Sequence, residues 1–347
     1  YLTYDLKNEL EHLTVVQKPD DLSFPLLQFF IPKYILRFYT DRIEIGVTQY
    51  VHIAELEQLF AQAKAPQNNN TSSLAIQHKQ TKEAYIATIE KIKTHIQNGD
   101  LYEMNFCQEY FAVDAEIEPI NTFQKLNDVS KAPFASFYKG TDHYLLCSSP
   151  ERFIKRQNNQ LISQPIKGTR KRLADTQLDS NLKNELLSDN KERSENVMIV
   201  DLVRNDLSKV AVAGSVKVEE LFGIYTFEQV HQMISTISCT IPDERTFIEI
   251  IKATFPMGSM TGAPKIAAMQ FIEALEPFKR GLYSGAIGYL TPEGNFDFNV
   301  VIRSILYHKK NKHLAIHAGS AITAECDAER EYEECLLKAK AMLQAVN

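Results

Sequence analysis

The sequence predicts a mixed fold in which helices are laid over sheet, and three observations carry that expectation. Strand-like runs follow one another at Leu101–Val113, Tyr144–Cys147, Phe153–Arg156 and Gln160–Ser163, the last two separated only by an Asn158-Asn159 turn. Helical periodicity appears beside them, with Tyr85, Ile89, Ile92 and Ile96 at i, i+4, i+7 and i+11. The chain of 347 residues, 44% hydrophobic and 24% charged, is long enough for a large core, with material for about two domains fused into one body.

In chain order, residues 1–75 read as a small N-terminal lobe and linker, and residues 76–347 as the main domain. Ile43–Val47 and Tyr50–Ile53 have strand character, Ala54–Ala63 reads as a short helix, and the amide-rich run Ala65–Ser73 reads as a surface loop. A helix starts from Thr81 as N-cap and stops at Asn98-Gly99. The four strands named above follow, and the Pro165–Thr169 loop leaves the end of the last one. Asn184–Leu207 reads as one long helix, Ser215–Val218 and Gln232–Thr240 as strands, and a further helix begins near Pro264, with proline at N1 after a Gly-rich turn. Gly285–Leu290, Phe296–Leu306 and His313–Ala318 read as strands, and Ala328–Ala345 as the final helix.

Composition excludes several function classes. The net charge is -6 and no lysine/arginine run exceeds three residues, which leaves little basis for a nucleic-acid or anionic-membrane surface and favours a small molecule or another protein as partner. Five scattered cysteines without a C-x-x-C pair argue against a disulfide framework or a structural zinc site. No apolar run approaches the ~18 residues of a membrane span, and no signal-peptide pattern is visible, so a cytoplasmic location is expected. The chain begins at Tyr1 rather than Met, so a few native residues are expected to precede it.

Several constellations carry chemistry. In Gln164-Pro165-Ile166-Lys167-Gly168-Thr169-Arg170 a proline, a glycine and a threonine fix the backbone around a single amine; taken alone, a solvated turn is the ordinary reading. Glu331, Glu334 and Lys338 share one face of the final helix, and Glu192 and Glu195 share a face of the middle one. The final-helix set, taken alone, suits a solvated salt-bridging face. If the helices face each other, the carboxylates form an all-oxygen pocket suited to Mg²⁺. Phe255–Lys265 is a Gly-rich turn into a helix N-terminus, a place that favours an anion, yet it matches neither the P-loop nor the dinucleotide fingerprint. Tyr283, Arg303 and the backbone near Gly319 offer a carboxylate clamp, because a charge within the apolar run Phe298–Leu306 needs a partner. Glu151 is a weak signal alone, and for His231 a satisfied core histidine is the default beside a substrate contact.

Taken together, these segments resemble the chorismate-utilising enzymes. The resemblance rests on Gly99-Asp100-Leu-Tyr102-Glu-Met-Asn105, Ser149-Pro-Glu151-Arg-Phe153, Pro165-Ile-Lys-Gly-Thr-Arg170, Glu195–Leu207, Phe255–Lys265, Tyr283–Tyr289 and His317-Ala-Gly319 with the acidic final helix, in family order over about residues 80–345. It implies an α+β fold of two antiparallel sheets packed face to face, helices outside, and a Mg²⁺-dependent site between them. It also implies roles: Glu195 and Glu334 nearest the metal, with Glu192 and Glu331 reaching it directly or through water; Lys338, Gly168, Thr169, Thr261, Gly262 and Ala263 at the ring carboxylate of chorismate; Tyr283, Arg303 and Gly319 at the enolpyruvyl carboxylate; Glu151 as the acid that protonates the departing C4 hydroxyl. His231 is carried as a further substrate contact.

Lys167 selects the branch of the family. The anthranilate-forming branch has alanine there, whereas lysine is typical of the branch that aminates C4, in which the neutral amine attacks C2 and ammonia then enters at C4. Burial or a nearby cation is expected to keep the amine unprotonated. Met104 stands where the resemblance places the base lysine of isochorismate-forming relatives, so activation of water is not expected. Ammonia is expected from a separate glutaminase subunit, since the chain has no Cys-His-Glu amidotransferase motif. Met257 and Ala321 depart from glycines usual in the family.

Overall fold

The structure is a computed structural model that describes residues 1–47, 52–63 and 74–347. Its framework is two seven-stranded sheets in which every paired strand is antiparallel. Sheet I runs, in spatial order, Lys217–Thr226, Val230–Thr240, Gln160–Gln164, Arg152–Gln157, Phe296–Val300 and Ala286–Leu290, with Ile166–Lys171 also paired to Val230–Thr240. Sheet II runs Gly262–Ala263, Glu103–Ala112, His313–Ile322, Ser304–His308, His143–Ser149 and Phe134–Lys139, with Gln77–His78 on Glu103–Ala112.

Strand periodicity explains the layering. Because successive side chains alternate between faces, Met104, Phe106 and Tyr110 enter a core beneath the Lys82–Gln97 and Ala328–Val346 helices, where they meet Tyr85, Ile89, Cys335 and Met342. Their odd-numbered neighbours face the other way. Cys107, Leu145, Cys147, Leu306 and Ala315 of sheet II share a core with Phe153, Leu161, Ile237 and Phe298 of sheet I. The expected α+β architecture of face-to-face antiparallel sheets with helices outside is therefore present.

Local chemistry sets the helix starts. Thr81 Oγ1 accepts from the Ala84 N–H, and Thr246 with Glu249 forms a capping box for Phe247–Thr254. Residues from the chain's beginning join the inter-sheet core: Tyr1, Leu2, Leu6, Leu22 and Phe24 belong to it, and Leu2 bridges to Ala286. Beyond them lie an exposed hairpin, Tyr34–Phe38 with Ile43–Val47, and the helix Ile53–Gln62.

Several sequence expectations need correction. Asn184–Leu207 is not one helix: Thr176–Ser188 ends at Asp189, whose extended backbone and side chain cap a second helix, Asn190–Ser208. Phe296–Leu306 is not one strand, because Arg303 takes a left-handed conformation (φ 52°) between two strands of different sheets. The Pro165–Thr169 loop is the beginning of a strand, Ile166–Lys171, with Gly168 turned to φ 91° within it. Pro264 is the N-cap rather than the first helical residue. Ile53, read as the end of a strand, starts a helix; most of that strand and the Ala65–Ser73 loop lie outside the described residues. The helix Pro119–Ser130 and the strand Phe134–Lys139 were not anticipated.

Candidate active site

Two of the chain's passages between the sheets lie at neighbouring points, and each delivers a candidate site residue. Glu151 lies between His143–Ser149 of sheet II and Arg152–Gln157 of sheet I; Arg303 lies between Phe296–Val300 of sheet I and Ser304–His308 of sheet II. The crossings are tied together, since the Val300 N–H donates to the Glu151 carbonyl at 3.0 Å and the Ser148 N–H donates to the Arg303 carbonyl at 3.1 Å.

Glu151 is 5% exposed. Burial pushes its carboxyl up from 4.5 to about 7, with a hydrogen bond from Ser259 Oγ and the charge of Lys167 opposing the rise; the Ser259 bond is 2.6 Å. A carboxylic acid that keeps its proton near neutrality can protonate a leaving oxygen. Arg303 donates to the Lys338 carbonyl at 3.1 Å. Burial lowers its guanidinium, opposed by Tyr283 and Glu334, and among the described residues no carboxylate stands within ion-pair distance of it. Such a cation is suited to a substrate carboxylate. Tyr283 is buried and stacks on His317, ring centroids 5.0 Å apart and planes 17° from parallel. A Cβ on Gly319 would come within 2.6 Å of Cys107 Sγ. The Gly319 carbonyl accepts from Lys338 Nζ at 2.8 Å.

Lys167 reaches across the gap between the sheets. Its Nζ lies 2.9 Å from Glu103 Oε1 and 3.6 Å from Glu195 Oε2. Burial alone would lower this ammonium, but the charges of Glu103, Glu195 and Glu334 outweigh it and raise the group above its ordinary value. The expectation of a neutral amine is thus overturned for the free protein: the lysine faces carboxylates. Burial also keeps Glu103 above the ordinary carboxylate range, even with the ammonium beside it.

The two acidic helices do meet. The Lys191 ammonium lies 3.8 Å from Glu195 and 3.3 Å from Glu331, bridging Asn190–Ser208 and Ala328–Val346. Glu192 pairs with Arg170 at 3.1 Å and Glu334 with Lys338 at 2.6 Å. Burial and then Glu195 raise Glu192, and burial and then Glu334 raise Glu331, as expected of crowded acids. Among the described residues no three of these acids are yet grouped as ligands of one ion. Even so, two buried carboxylates from facing helices converge on a positive charge, and oxygen donors with excess negative charge fit a hard divalent cation.

The Gly-rich turn is held by a tight fit to its neighbours. Gly262 (φ 150°) allows its strand to close on Glu103, whose carbonyl oxygen would lie 2.1 Å from an added Cβ. Thr261 and Ala263 accept backbone hydrogen bonds from Asn105 and Tyr102, and Lys265 is fastened to Asp206 and to the Pro256 carbonyl. Gly168 brings its backbone against Glu192, and Thr169 is exposed. The ring nitrogens of His231 are directed at Asp179, 3.0 Å away, and at Thr226 Oγ1, also 3.0 Å away. Proximity to these two residues anchors the ring, while Nε2 has no hydrogen-bond partner among the described residues.

Met104 is also reassigned. It is fully buried on the helix side of sheet II, so it does not present a side chain to the gap; Glu103, one residue earlier, does. Sequence reasoning missed Glu103, Ser259 and Lys191. A signal for the first was present: Glu103, Asn105, Cys107 and Glu109 alternate with Met104, Phe106 and Tyr110, placing two carboxylates on the inward face of a buried strand.

The family of chorismate binding enzymes matches residues 1–344. The chain is 36% identical over 342 residues to aminodeoxychorismate synthase component 1 of Escherichia coli (strain K12), covering 98% of this chain and 75% of that protein. It is 31% identical over 369 residues to anthranilate synthase component 1 of Acetivibrio thermocellus, covering 100% of this chain and 74% of that one. Among solved structures it resembles anthranilate synthase component I from Streptococcus pneumoniae TIGR4, with a TM-score of 0.87 at 28% identity, over 99% of this chain and 79% of that one. Among the described residues, no helix is long and apolar enough to cross a membrane.

Proposed function

The chain belongs to the chorismate binding enzymes, and from that premise we propose that it aminates chorismate at C4, forming 4-amino-4-deoxychorismate with ammonia delivered by a separate glutaminase subunit. Lys167 carries the reading: a lysine amine projects into the gap between the sheets, near the buried acid Glu151 and the clamp of Tyr283 and Arg303. The relatives named component 1 of an aminodeoxychorismate synthase support the choice of reaction and of a second subunit.

In this mechanism Arg303, Tyr283 and the Gly319 backbone hold the enolpyruvyl carboxylate. Lys338, Gly168, Thr169 and the Thr261–Ala263 turn orient the ring carboxylate. Lys167, after giving its extra proton to solvent, bonds to C2; both ring double bonds shift by one position toward C4, the C4–O bond breaks, and Glu151 gives its proton to the departing hydroxyl, which leaves as water. Ammonia then bonds to C4 and the electrons return to release the lysine. Mg²⁺, held by Glu195 and Glu334 with Glu192 and Glu331 directly or through water, would supply charge for the ring carboxylate.

The test is product analysis: the protein with chorismate, Mg²⁺ and ammonium should give 4-amino-4-deoxychorismate, and Lys167→Ala should abolish it. Fluorescent anthranilate from the unaltered protein, without an added lyase, would overturn the assignment.

A further inference from the structure

We propose that Glu103 is a positioning residue that aims the Lys167 amine at C2 of chorismate; this rests on the lysine chemistry set out above and adds the group that directs it. Among the described residues two carboxylates lie within ion-pair distance of Lys167 Nζ; Glu103 is the nearer, at 2.9 Å against 3.6 Å for Glu195, and of the two it alone accepts a hydrogen bond from the amine. Glu195 also attracts the Lys191 ammonium and belongs to the acidic set on the facing helices. Glu103 is 1% exposed, and its second oxygen, Oε2, is buried without a hydrogen-bond partner among the described residues. A buried carboxylate left half satisfied is costly, so its presence opposite the lysine needs a reason that packing does not supply.

The mounting of Glu103 is rigid. It begins the Glu103–Ala112 strand and pairs with Ala263 on one side, where Gly262 allows a backbone approach that any Cβ would block. Lys167 is carried on the opposite sheet, beside the left-handed Gly168. A long, flexible side chain is therefore held at its tip from across the gap. Holding a nucleophile this way reduces the orientational freedom lost on attack, and misplacement by about 1 Å can cost about 100-fold in rate. The charge-assisted bond also fixes the side chain more firmly than a neutral one would.

The test compares Glu103→Ala and Glu103→Gln with the unaltered protein, measuring kcat, KM for chorismate and, by acid quench and peptide mass analysis, Lys167 carrying chorismate less water. Glu103→Ala should lower kcat about 100-fold and slow adduct formation in parallel, with KM changed less than about threefold. Glu103→Gln, whose amide oxygen can still accept from Nζ, should restore part of that loss. An unchanged kcat in Glu103→Ala overturns the proposal; so does a Glu103→Gln variant no better than alanine. If Glu103→Ala does not fold, an unchanged kcat and adduct rate in Glu103→Gln overturns it. Product formation by the unaltered protein with no Lys167 adduct removes the lysine chemistry itself, whereas an adduct that forms equally fast in the variants removes only the role of Glu103.

Discussion

Glu151→Gln separates the acid role proposed for this residue from its effect on stability. In the folded protein the carboxyl is raised from 4.5 to about 7 by burial. A carboxyl whose folded value exceeds its unfolded value binds its proton more tightly in the folded state, so stability is retained at low pH and falls as pH rises from about 4.5 toward 7. At about 1.4 kcal/mol for each tenfold change in proton affinity, the rise from 4.5 to about 7 sets an upper limit of about 3 kcal/mol on the stability lost by neutral pH. Glutamine has the same shape, can accept the Ser259 hydrogen bond and never ionises. The variant should therefore match the unaltered protein near pH 4.5 and exceed it by about 1–3 kcal/mol near pH 8, in urea denaturation followed at both values. The same substitution should lower kcat by about 100- to 10,000-fold, and kcat of the unaltered protein should decline as pH rises above about 7, where the acid loses its proton. A stability difference that is independent of pH, or that favours the unaltered protein at high pH, would refute the reasoning from burial.

Three further outcomes are expected. Lys167→Met leaves Glu103 buried without its cation and should cost about 3–5 kcal/mol, most of which Lys167→Met/Glu103→Gln should recover; simple addition of the two single losses in urea unfolding would deny the coupling. Gly262→Ala places a Cβ 2.1 Å from the Glu103 carbonyl oxygen, so it should lose about 3 kcal/mol or more of stability, and an unchanged denaturation midpoint would contradict the close approach. Removing divalent cations with a chelator should abolish turnover and added Mg²⁺ should restore it; full activity in the chelator would refute the metal reading of Glu195, Glu334, Glu192 and Glu331.

What was legible in the sequence were features that depend on local pattern: strand runs, the Thr81 cap, the acidic faces of two helices and the motifs that carry the family. What was not legible depends on which faces meet. Arg303 in an apolar run signalled a buried charge, yet its position at a crossing between sheets depends on the left-handed turn, and no glycine marks that turn. The Asn184–Leu207 pattern looked continuous because Asp189, a good N-cap, is also tolerated inside a helix in sequence terms; only the extended backbone there reveals the break. Lys167 shows the limit most clearly. Its burial could be anticipated and would by itself favour a neutral amine, but the sign of the shift is decided by carboxylates from sheet II and the two acidic helices, distant in sequence. Burial and charge act in opposite directions on the same group, and tertiary contacts decide between them. In the proposed mechanism the lysine must therefore lose a proton before it attacks, and the geometry that favours its charged form in the free protein is the same geometry that holds it in place.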